Sequence, residues 1–158
     1  PSPYPRILLA NAVGRIIPFR HPGFWLAVLI GESITDRINR FVYGSAEVSP
    51  AISRIVQIHI KEEARHIAYA KERVEEGLKG LPAWQRPFLN ALLGVAFRQF
   101  IQALFFPPRR LYHLAGLDPG EHWEEVARLN EARWAFIRDM TAPTRTFLED
   151  QGFAVALT

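Results

Sequence analysis

The chain has 158 residues, with 19 Lys and Arg against 16 Asp and Glu, five His and no Cys. That length suits one domain with a sizeable core, and a composition 49% hydrophobic and 22% charged excludes a disordered tail or a low-complexity polymer. Without Cys there is no disulfide scaffold, zinc ribbon, thiolate iron–sulfur cluster or thiol nucleophile, so any metal must be held by His and carboxylates; a net charge of +3 carried by scattered arginines gives no nucleic-acid surface.

Pro and Gly divide the chain into helical blocks, and no alternating apolar run is bounded by hairpin dipeptides, so the sequence predicts an all-α chain. Residues Pro1 to Pro22 form a proline-rich lead-in with room for one short helix around Ile7 to Ile17. The first long helix runs from Gly23 to Tyr43 and ends at Gly44-Ser45. Ser49-Pro50 opens the second, with Ser as N-cap and Pro in the first turn, and it continues to Lys79-Gly80. A third covers Trp84 to Phe106 and is stopped by Pro107-Pro108; a fourth runs from Asp118-Pro119 to about Met140, and Pro143 to Asp150 makes a last short helix. The longest apolar stretch, Phe88 to Phe106, carries Asn90, Arg98, Gln99 and Gln102, which argue for a buried or interfacial helix and against a membrane partner. No signal peptide is visible, a cytoplasmic location is expected, and the start at Pro1 suggests a fragment or a processed product.

The second helix carries the chemistry. At about 100° per residue, His59, Glu63 and His66 share one face with Ile52, Ile55, Val56, Ile67, Ala70 and Val74. Carboxylate and imidazole are costly in a core-facing stripe unless paired or bound to metal. Glu63 and His66 are three apart, one turn, so both reach the same cation; this is the Glu-x-x-His pair that carboxylate-bridged di-iron bundles project inward. His59 adds a third donor, and Glu62 at the stripe's edge is placed to orient a ligating His from behind. On the first helix Glu32, Asp36 and Asn39 form a polar seam flanked by Trp25, Val28 and Leu29. Glu32 is expected as a bridging carboxylate opposite Glu63, with Asp36 as its outer partner. Of the remaining residues, His21, His113 and His122 read as surface or capping histidines, Trp84, Trp123 and Trp134 as core or interface anchors, Arg65 as half of an interhelical salt bridge, and Arg109-Arg110 as caps for the last carbonyls of the third helix.

The spacing of Glu32, His59, Glu63 and His66, with the string His59-Ile60-Lys61-Glu62-Glu63-Ala64-Arg65-His66-Ile67, resembles the second half of the p-aminobenzoate N-oxygenase (AurF-like) di-iron family, best over Gly23 to Glu76. The resemblance implies a ferritin-like helical bundle: a ligand-bearing helix pair over residues 23–79, half of a di-iron four-helix bundle, and further C-terminal helices over 80–158, all in one domain or fragment. It implies Glu32, His59, Glu63 and His66 as ligands to two irons, O₂ and an arylamine-like small molecule as substrates, N-oxygenation as the reaction, and a separate electron donor. The same donors accept manganese or zinc. A full site needs a further Glu and a further Glu-x-x-His, and Glu63 to His66 is the only such pair in the chain. A missing N-terminal half is the favoured explanation and a homodimer sharing Glu32, Glu63 and His66 the alternative. A non-catalytic iron-binding or scaffold protein is the rival function.

Overall fold

The computed structural model describes residues 18–157, so the short helix expected around Ile7 to Ile17 lies outside the described residues. Among the described residues there are six α-helices and no strand, as the all-α, ferritin-like expectation requires. They are α1 (Pro22–Tyr43), α2 (Pro50–Lys79), α3 (Gln85–Phe105), α4 (Arg109–Leu114), α5 (Trp123–Leu129) and α6 (Glu131–Asp150).

The ends of α1 and α2 follow their sequence signals. His21 caps α1, its Nδ1 accepting from the Gly23 amide at 3.0 Å, and Ser49 caps α2 by accepting from the Ile52 amide; Pro22 and Pro50 fill first-turn positions where a missing N–H costs nothing. The two helices pack antiparallel. Pro22 lies against Gly77, Trp25 against Tyr69, Glu32 against His66, Asn39 against Glu63, and Tyr43 accepts from Gln57 at 3.2 Å, so numbers that rise along α1 fall along α2.

α1 is the central helix. Leu26, Leu29, Ile30 and Ile34 are fully enclosed, each contributing about 1.5–3 kcal/mol by burial. Ala70, Val74 and Leu78 of α2, Leu89, Leu93 and Phe97 of α3, and Ile137 and Leu148 of α6 are among the buried residues of the same core. Gly31 admits α3 closely: a Cβ there would stand 3.2 Å from the Phe100 ring.

Three expectations change. The fourth helix does not run to Met140; it stops at Leu129, and α6 starts at Asn130, whose side chain accepts from the Arg133 amide at 2.9 Å. That cap outcompetes Pro143 as a start signal, and Pro143 sits inside α6, where it forfeits one helical hydrogen bond while Met140, Thr141, Thr144 and Leu148 hold the turn against the core. Arg109 does not cap α3, because it pairs with Asp118 at 3.3 Å; Arg133 from α6 donates to the Phe105 carbonyl at 2.8 Å instead. Of the two roles expected for the tryptophans, core or interface anchor, the core one does not hold for Trp84, which is 76% exposed, and does for Trp123, which is buried.

The stretch Gln85–Leu114 is long and apolar enough, by length and composition, to cross a membrane. Its Phe97, Ile101 and Phe105 face the core while Phe88 and Val95 face outward.

Candidate metal centre

The antiparallel register sets α1 against α2 in two rungs, which pair Glu32 with His66 and Glu63 with Asn39 in place of the expected Glu32 opposite Glu63. In the first, Nδ1 of His66 stands 3.5 Å from Oε2 of Glu32, with side-chain exposures of 63% and 32%. In the second, the Asn39 amide donates to Oε2 of Glu63 at 3.0 Å. Thr35, beside Glu32, turns its hydroxyl back onto the carbonyls of Gly31 and Glu32 at 2.8 and 3.1 Å, which keeps it out of the rung between the helices.

The remaining predicted residues are placed differently. His59, two turns before His66, and Glu62 are both exposed, as is Arg65, for which no interhelical ion pair appears among the described residues. Asp36 does not touch Glu32; it is buried, and its Oδ2 accepts from Nε of Arg40 at 2.7 Å while its Oδ1 has no partner. The Asp36 hydrogen bond, outweighing the effect of burial, raises the Arg40 guanidinium above its ordinary value, so this pair is firmly ionic. Sequence reasoning placed Asn39 in the seam without giving it a role; its spacing of seven from Glu32 on one face, set against the falling register of α2, is the signal for its bond to Glu63. Arg40 was missed although Asp36 and Arg40 stand at the i,i+4 spacing that pairs charges on a helix.

The ligand face is not the core face. The buried stripe of α2 is Val56, Ala70, Val74 and Leu78, and the arc bearing Ile52, Ile55, His59 and His66 is turned about 60° away from it, with Ile52 and Ile55 exposed. The expectation that His59, Glu63 and His66 lie together in a core-facing stripe is therefore corrected: Glu63 is half-buried at its edge and both histidines are outside it. The reason is that α1 packs against the Val56 side, and no described element packs against the Ile55 side.

The donors fit iron in kind. Two carboxylates and two imidazoles suit iron or manganese, and in the Glu32–His66 rung an oxygen and a nitrogen from separate helices converge on one space. In number Glu32, Glu63 and His66 make half of the six-donor set used by a di-iron bundle, with His59 additional to it, and among the described residues no group of three or more His, Asp or Glu is gathered closely enough to hold a metal ion.

Comparison with known proteins gives a matching pattern. The sequence profile described as P-aminobenzoate N-oxygenase AurF matches residues 2–152. Uncharacterized proteins of Mycobacterium bovis and of Mycobacterium tuberculosis strain H37Rv are each 28% identical over 130 residues, which cover 82% of this chain and 38% of theirs. The chain thus spans well under half the length of the curated relatives it matches. No solved structure matches it significantly.

Proposed function

The chain belongs to the p-aminobenzoate N-oxygenase AurF family of di-iron oxygenases, and from that premise we propose that it supplies one half of a di-iron centre that uses O₂ to oxidise a small organic substrate, with N-oxygenation of an arylamine-like molecule as the reaction. The observation that carries the reading is the Glu32–His66 rung, with Glu63 one turn from His66 and held by Asn39. Glu32, Glu63 and His66 are the ligands in this proposal and His59 a further donor; Asp36, paired with Arg40 on its own helix, and Glu62, exposed on α2, are given no part in it. Iron bound there supplies the O₂ chemistry, with electrons from a separate donor. The chain's own contribution is to set the donor spacing and to keep water out with Leu29 and Val56, which are buried, and Val28 and Ile67, which are half-buried.

The missing Glu and Glu-x-x-His come, in this proposal, from a further helical segment that covers Ile52 and Ile55; the greater length of the relatives leaves room for one. A second copy of the chain presenting its own Glu32, Glu63 and His66 is the other arrangement. Anaerobic ferrous loading followed by metal analysis at a known oligomeric state tests the ligand set. Retained iron is expected to fall about tenfold or more in Glu63→Ala and in His66→Ala, and less in His59→Ala. Unchanged iron in both of the first two variants would remove the proposal.

The thinness of the donor cluster favours a second reading, a non-catalytic iron-binding scaffold. Repeated O₂ consumption with a reductant and an arylamine supports the oxygenase; a single stoichiometric uptake supports the scaffold.

A further inference from the structure

We propose that a cavity between α1, α2 and α6 is a binding site for a small monoanionic hydroxycarboxylate of about the size of lactate. Its volume is about 190 Å³, room for about six groups of water size at roughly 30 Å³ each, which lactate fills. Three of the side chains that line it carry a buried polar atom with no hydrogen-bond partner among the described residues: Oδ1 of Asp36, Nε of Arg37 and Oγ1 of Thr144. Asp36 and Thr144 are only 8% and 2% exposed. One such atom alone is an isolated cost to the fold. Three around one space, with Ser33 beside them, are the few convergent polar groups that a small-molecule site needs.

The charges select the ligand. Asp36 is engaged through Oδ2 by Arg40 at 2.7 Å, and Arg37 by Asp139 at 3.4 Å, so these two pairs cancel. The ammonium of Lys71, also in the lining, forms no ion pair among the described residues and stands 5.1 Å from the centre of the Phe147 ring. The lining therefore has one positive charge in excess, which a carboxylate neutralises and a zwitterion does not. As a carboxylate oxygen, Oδ1 of Asp36 can only accept, so the ligand must bring it a donor; a hydroxyl does so without adding charge beside Arg37 and Arg40. Nε of Arg37 and the Thr144 hydroxyl are left to donate to the ligand's carboxylate. Leu29, Ile67 and Phe147 enclose the rest, which suits a short hydrocarbon body and disfavours a bare inorganic anion.

The cavity lies around the corner from the donor rungs. Ser33 and Arg37 stand about 100° and 140° around α1 from Glu32, and Ile67 and Lys71 about 100° and 140° around α2 from His66. The site thus needs no metal, and it stands or falls separately from the oxygenase reading. Since α6 contributes Thr144 and Phe147, a bound ligand also ties that helix to the α1 and α2 pair.

Isothermal titration calorimetry of the chain with L-lactate, isobutyrate and L-alanine tests the site. Isobutyrate puts a methyl where lactate has its hydroxyl, and alanine puts an ammonium there. Lactate is expected to bind about tenfold or more tightly than either and to raise the midpoint of thermal unfolding. Lys71→Met keeps the stem of the side chain and removes its charge; lactate affinity is expected to fall about tenfold or more, with the midpoint of the free protein unchanged. Thr144→Val removes the unpaired hydroxyl at nearly constant shape. Lactate affinity should then fall severalfold while the midpoint of the free protein holds or rises, a combination that a threonine serving only the fold does not give. Isobutyrate or alanine binding as tightly as lactate, lactate binding indifferent to Lys71→Met, or no heat and no midpoint shift with lactate in large excess would each overturn the proposal.

Discussion

Asn39 and Arg40 are neighbours in sequence and engage two different carboxylates. Asn39 holds Glu63 through a neutral amide at one carboxylate oxygen. Arg40 engages Asp36 with full charge. Asp36→Asn keeps the volume and loses that ionic hydrogen bond; with Arg40 half-exposed the expected cost is about 1 kcal/mol, read from urea unfolding. At the other end of the molecule, Asp118 accepts from the Gly120 amide at 3.1 Å and from Arg109 at 3.3 Å, which lowers its carboxyl below the usual range. A lowered folded value means that the contact stabilises the turn at all pH above the unfolded value of about 3.9 and is lost as pH falls through the folded one. An NMR titration should therefore give an Asp118 midpoint below that of a free aspartate, with the Gly120 amide shifting at the same pH; a midpoint at or above the free value contradicts it.

Among the elements, α1 and α2 were legible because both ends of each carry strong local signals: Ser49-Pro50 and Gly80, and Gly44 after Tyr43. The division between α5 and α6 was not, because Asn130 and Pro143 compete as start signals and only the Asn side chain can accept an orphan amide. The rotation of α2 was also illegible. Ile52 and Ile55 on one side and Val56, Ala70 and Val74 on the other form one broad apolar arc in the sequence, and which part of it faces the core depends on where α1 lands. Gly77 fixes that landing: a Cβ there would lie 3.0 Å from the Pro22 side chain. Gly77→Ala gains about 1 kcal/mol of helix propensity and loses more by prising the start of α1 from the end of α2. A net destabilisation of about 1–2 kcal/mol is expected, measured by thermal or urea unfolding, and a net gain would show that the contact yields.

For the whole molecule, the outward arc of α2 is the feature that separates a half-site from a finished one. Ile55 is 51% exposed, so Ile55→Glu should leave the stability of this chain within about 0.5 kcal/mol of the parent while abolishing whatever assembly completes the donor set, as read by sedimentation and by iron per chain. Loss of fold in that variant would mean that the residue is held by contacts within the chain. The donor residues and their spacing were readable from sequence; their incompleteness in space was not, since it depends on what covers an arc that α1 leaves open.

Between Val56 and Ala70 no residue of α2 is fully buried, and three of the proposed donors, His59, Glu63 and His66, lie within that interval. Its amides are bonded along the helix, and only partly buried side chains such as Ile67 and Tyr69 tie them to the core, so the segment can open without global unfolding. In deuterated solvent, amides 60–69 should exchange orders of magnitude faster than those of α1, and much faster than those near Val74. A bound ion or a covering partner would slow this interval selectively, so its exchange rate reports occupancy of the site even where no turnover takes place.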